Sequence, residues 1–174
     1  ELSRMMMIVI PIVFVILLLT TSSWFEPVLF LATIGVAILL NMGTNVIFGT
    51  VSFVTKAAGA ILQLAVSMDY SIFLLDAFMS WRDTGLSEEE AIVKAVEEAI
   101  NSIFASSLTT VVGFLALVSM KFTIGFDMGL VLAKGIVFSL LSVVFFMPAM
   151  ILKFTKWNDR TKHRSFFPDF TKMG

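Results

Sequence analysis

Long apolar stretches constrain this chain more than anything else in it. They run over Met5–Thr20, Pro27–Phe48, Ala57–Trp81, Ile103–Met120 and Phe126–Leu152. About 20 apolar residues in helical form cross the hydrocarbon core of a bilayer. A helix also satisfies its own backbone hydrogen bonds there, where no water can do so. Composition agrees: 58% of residues are hydrophobic and 14% charged, with a mean hydropathy of +0.97. Soluble domains carry about 45–50% apolar and about 25% charged residues. The fold class expected is all-α: a polytopic membrane bundle of five transmembrane helices plus one cytoplasmic amphipathic helix.

Several functions drop out early. A net charge of −1 offers no broad basic surface to nucleic acid. Without cysteine there is no disulfide, thiolate metal site or cysteine nucleophile. The single histidine, His163, falls in the polar tail. No metal, cofactor or enzymatic activity is therefore expected. The chain starts at Glu1 and shows no signal peptide, so it reads as a piece of a longer protein.

Local signals divide the chain. Thr20 to Glu26 is a polar break, and Pro27 suits the first turn of the next helix. Ser87-Glu88-Glu89-Glu90 is a capping box, with a hydroxyl at the cap and a carboxylate three residues on. Behind it Ile92, Val96 and Ile100 recur every four residues beside Ala91, Ala95 and Ala99. That pattern predicts an amphipathic helix along the membrane surface. From residue 154 the chain turns polar and basic, with Lys156, Arg160, Lys162, Arg164 and Lys172. Residues 1–153 thus read as the membrane domain and 154–174 as a linker or tail. Basic loop residues gather on the tail's side, against only Arg4, Lys56 and Lys121 opposite. By the positive-inside bias the tail is cytoplasmic and the N-terminus outside.

Charges inside the apolar stretches carry the functional argument. Asp69 lies about 18 Å into the third stretch and Lys134 about 12 Å into the fifth, at 1.5 Å per residue. Such charges cost about 2.5–3.5 kcal/mol at a helix centre on insertion scales, and often serve ion or proton paths. A carboxylate balanced between desolvation and a nearby lysine can load and release protons near neutral pH. The alternative is a static Asp69–Lys134 pair that fixes helix register. Asp127, seven residues before Lys134, competes as its partner or acts as a local outer-end cap. Asp76 shares the face of Asp69 but sits near the cytoplasmic end, where a solvated role suffices. Ser106, Thr109, Thr110 and Gly113 form one face of the fourth stretch. Small residues at that spacing signal close helix packing, or else a hydroxyl lane beside Asp69. Asn41 and Asn45 read as interhelical hydrogen-bonding residues.

A family resemblance adds to this. Asp69-Tyr70-Ser71-Ile72-Phe73-Leu74-Leu75, Gly85-Leu86-Ser87-Glu88-Glu89-Glu90-Ala91 and Ser106-Ser107-Leu108-Thr109-Thr110-Val111-Val112-Gly113-Phe114 occur in order. Asp127-Met128-Gly129-Leu130-Val131-Leu132-Ala133-Lys134-Gly135 and Met147-Pro148-Ala149 follow. Together they resemble the MMPL family of resistance-nodulation-division transporters. The resemblance implies the second to sixth helices of one half of a two-half exporter in a bacterial cytoplasmic membrane. It implies proton-driven export of lipids or other hydrophobic compounds. Its partners would be the bilayer, protons, the substrate and the other half of the same transporter. It also implies a proton-relay role for Asp69 and Tyr70, with Tyr70 hydrogen-bonding the opposing relay. Lys134 joins them on its depth alone, with Thr109, Thr110, Asp127 and Asp76 as possible support. Two alternatives stand: a lipid-sensing module of the sterol-sensing type, and an accessory subunit for protein export.

Overall fold

A computed structural model describes residues 4, 7–8, 11–12, 14–15, 26–48, 51–120 and 122–160. Every element among them is helical. The first is α1, Glu26–Thr44, which tightens into a 3-10 turn over Asn45–Phe48. Next come α2 (Phe53–Asp83) and α3 (Glu88–Val118), each of 31 residues. Then α4 (Thr123–Leu141) passes through a π-helical turn, Ser142–Phe146, into α5 (Met147–Arg160). The span expected over Met5–Thr20 lies largely outside the described residues. So does the tail beyond Arg160.

Four helical stretches are long and apolar enough to cross a membrane: Glu26–Ile47, Phe53–Asp83, Glu88–Val118 and Ile124–Phe154. At 1.5 Å per residue, α2 and α3 are each about 46 Å long, the full thickness of a bilayer with its headgroups. Ser52 caps α2 by accepting from the Thr55 amide. Gly85, at φ 91°, makes the turn out of α2, a backbone region only glycine enters freely. The expected capping box then starts α3: Ser87 Oγ accepts from the Glu90 amide, and the Glu90 carboxylate accepts from the Ser87 amide.

The amphipathic segment is not separate from the span behind it. It forms the first half of α3, because nothing between Glu88 and Val112 can stop a helix: the run has neither proline nor glycine. Its alanines do not rest on the membrane surface. Ala91, Ile92, Ala95, Ala99 and Ile103 join the core with Leu74 and Phe78 of α2 and Val143, Met147 and Ile151 of the last helical rod. Small side chains every four residues let the backbones approach closely. Trp81 Nε1 donates to Glu98 at 2.7 Å and ties the same ends together.

Close approach recurs where α3 crosses α4. A Cβ at Gly129 would lie 2.7 Å from the Phe114 carbonyl oxygen and 3.0 Å from the Val118 amide nitrogen. The π turn also has a local cause. Pro148 has no N–H, and its ring crowds the carbonyl four residues back. The wider turn takes up that misfit, with the Met147 amide bonding to the Ser142 carbonyl.

Candidate functional site

Two polar regions lie along the apolar middle of α2, on different faces of it. The first is an open groove of about 440 Å³ between α2 and α3. Val66, Asp69, Tyr70 and Phe73 line it from α2, and Ser102, Ile103, Ser106 and Thr110 from α3. Asp69 is sixteen residues from the start of α2, about 24 Å along it. Its side chain is exposed on the outer surface of this chain, whereas Tyr70 beside it is buried at 6% exposure. The Tyr70 hydroxyl has no hydrogen-bond partner among the described residues.

The second region is a buried seam where α1, α2 and α4 meet. Asn41 Nδ2 donates to Gln63 Oε1 at 2.9 Å, and Gln63 Nε2 donates to the Gly135 carbonyl at 3.1 Å. One turn on, Ser67 donates to Ser139 at 2.6 Å, and Ser139 donates to the same Gly135 carbonyl. Glycine at 135 is what admits this seam, since a Cβ there would lie 2.7 Å from Asn41 Nδ2. Lys134 reaches across to the end of α1. Its Nζ donates to Asn45 Oδ1 at 2.6 Å and to the Asn41 carbonyl at 3.1 Å. The last carbonyls of a helix lack intrahelical donors and carry partial negative charge, so a lysine there is favourably placed.

The expected site residues therefore divide. Asp69, Tyr70 and Thr110 share the open groove, whereas Lys134 bonds to asparagines in the seam. Asp69 lies two residues past Ser67, about 200° round the helix, so it turns away from the α4 side that Ser67 faces. Asp127 is half-buried toward the start of α4, and Asp76 is exposed and partnered near the end of α2. Thr109 and Thr110 each donate to the carbonyl four residues back, at 3.0 and 2.9 Å. The small-residue face expected to pack does not do so among the described residues. Ser106, Thr109 and Gly113 are exposed, and no described residue lies within 4 Å of a Cβ built at Gly113. The α3 stripe that packs is instead the one holding Ala95, Ala99, Ile103 and Ser107. Asn41 makes the interhelical bond expected of it, and Asn45 holds Lys134. Sequence reasoning missed Gln63, whose signal was an amide inside an apolar stretch. Among the described residues no three His, Cys, Asp or Glu side chains gather as a metal site.

Long apolar helices packed around a buried polar seam define a multi-pass membrane protein. The MMPL family profile matches residues 1–172, and the chain belongs to that family. It is 28% identical over 143 residues to the probable transport protein MmpL12 of Mycobacterium tuberculosis, covering 80% of this chain and 12% of the relative. A membrane protein of Methanocaldococcus jannaschii matches at 36% over 98 residues, 56% of this chain and 25% of the relative. Membrane protein YdfJ of Bacillus subtilis matches at 25% over 119 residues, 68% of this chain and 16% of the relative. The matches thus span a quarter or less of these relatives. No solved structure matches.

Proposed function

We propose that this chain is the half-bundle of a proton-driven exporter of lipids or other hydrophobic compounds, and that Asp69 carries the coupling proton. In this reading a fifth span over Met5–Thr20 precedes α1, the tail is cytoplasmic, and the membrane is the bacterial inner one. The observation that carries it is the groove: an ionisable side chain at mid-helix, open on this chain's surface, beside a buried tyrosine hydroxyl with no described partner. A charge facing lipid at that depth is costly. Something polar must cover it, and the unpacked face of Ser106, Thr109 and Gly113 supplies the contact surface. The other half of the same transporter fits, presenting an opposing relay to Asp69 and Tyr70. Protonating Asp69 would remove a charge from that contact and favour a different packing of the halves, which couples the proton to movement. Family membership and the likeness to a described transport protein support transport.

Lys134 enters this scheme as a clamp between α4 and α1 rather than as the partner of Asp69. The test is proton-coupled export by the full-length protein at matched expression, wild type against Asp69→Asn. Loss of export with an intact protein supports the reading. Unchanged export contradicts it and favours a lipid-sensing or accessory role.

A further inference from the structure

Besides that of Tyr70, three buried hydroxyls are left over from the packing of the described helices. Ser71, Ser107 and Ser142 are buried at 0, 3 and 4% exposure, and their Oγ atoms have no hydrogen-bond partner among the described residues. Other hydroxyls on these helices behave differently. Thr33, Thr109, Thr110 and Ser139 each donate to the carbonyl four residues back, the cheapest arrangement in an apolar setting. The three serines forgo that bond.

Helix register brings them to one level. Gln63 and Ser67 of α2 bond to residues 72 positions further on, Gly135 and Ser139. That parallel register sets Ser71, one turn on, at the level of Ser142 and Val143. Antiparallel to α2, α3 places Glu98 on Trp81, and Ser106 and Thr110 across the groove from Phe73 and Asp69. The same register sets Ser107 at the level of Ser71. Three helices thus each send an unpaired hydroxyl to one depth in the bundle. Ser142 also opens the π turn, a kind of irregularity that concentrates at functional sites.

A buried hydroxyl without a partner forfeits its hydration, and three at one level compound the loss. Bound water restores those bonds, and buried waters usually make about three hydrogen bonds to such groups. We propose that Ser71, Ser107 and Ser142 line an internal water site inside this half-bundle, between α2, α3 and the π turn. The three serines carry no formal charge, so water suits them better than an ion. The site rests on packing alone and stands whatever the protein transports.

Radiolytic hydroxyl-radical labelling of the full-length protein in lipid nanodiscs reads bound water directly. Met147 is the reporter: it is 0% exposed, and its amide bonds to the Ser142 carbonyl. The expected result is oxidation of Met147 in the wild type despite its burial, falling to background in the S71A/S107A/S142A variant. An unlabelled Met147 in the wild type overturns the proposal, and that arm needs no variant to fold. Melting supplies a second test through its sign. If water bridges the hydroxyls, each single alanine lowers the melting temperature of the full-length protein. A rise on alanine substitution means dry serines relieved of unpaired hydroxyls, and overturns the proposal.

Discussion

Adding one methyl group at Gly129 tests the helix packing on which the site depends. The Cβ of Gly129→Ala would stand 2.7 Å from the Phe114 carbonyl oxygen and 2.8 Å from Val118 Cγ2. Ordinary C···O contacts lie at about 3.3–3.6 Å, so the shortfall is about 0.6 Å or more. No rotamer change relieves the contact with the carbonyl, because that atom belongs to the backbone of α3. The two helices must separate. Overpacking of this kind costs about 1–3 kcal/mol, and a rigid backbone obstacle puts it at the upper end. Alanine recovers about 1 kcal/mol of helix propensity over glycine. The net loss is about 2 kcal/mol. Gly35→Ala is the control: nothing lies within 4 Å of its Cβ, so propensity alone acts and the variant gains up to about 1 kcal/mol. SDS titration of the full-length protein, followed by circular dichroism, should separate the two by about 3 kcal/mol. Equal stability of the two variants would refute the close crossing of α3 and α4.

Other substitutions probe the remaining contacts. Lys134→Met removes both hydrogen bonds to the end of α1. Bonds to charged groups contribute about 1.5–3 kcal/mol each, and relief of the half-buried charge offsets part of that. The variant should lose about 1–3 kcal/mol in the same titration while keeping any proton-coupled export. Ser87→Ala breaks the capping box and should speed amide exchange in the first turn of α3 while leaving the apolar half protected. Gly113→Leu puts a large side chain on a face that no described residue packs against. It should lower export in the full-length protein without disturbing contacts inside this half-bundle if, as proposed, the other half covers that face.

Much of the architecture was legible before any coordinates. The stretches now seen as α1, α2, the second half of α3 and the rod from α4 into the start of α5 announce themselves by apolar length, and Ser87 and Glu90 mark the start of α3 through cap chemistry. Asp69 stands out because an acid has no cheap place in an apolar stretch. What escaped depends on packing between helices. The split predicted near Ile100–Ile103 fails because a change from amphipathic to apolar pattern does not end a helix; only a breaker or a cap does. The packing face of α3 is a different stripe from the one expected, since Ser106 and Gly113 are small like the alanines that pack and spacing alone does not separate the two stripes. Lys134 has several acids and amides within a lysine's reach, and only the crossing of α4 with α1 selects Asn41 and Asn45. The π turn did have a sequence signal in Pro148, whose missing N–H forces some irregularity in the preceding turn.

The central claim is that Asp69 takes up and releases the coupling proton. The most direct measurement is proton flux through the full-length protein in proteoliposomes, with an entrapped pH-sensitive dye and an imposed gradient. Wild type, Asp69→Asn and Asp69→Glu would be compared at equal protein and equal folded fraction. Flux is expected to be lost in the asparagine variant, which cannot release a proton, and partly restored in the glutamate variant, which can. Wild-type flux from Asp69→Asn would contradict it and leave Asp69 a packing residue in the contact between halves.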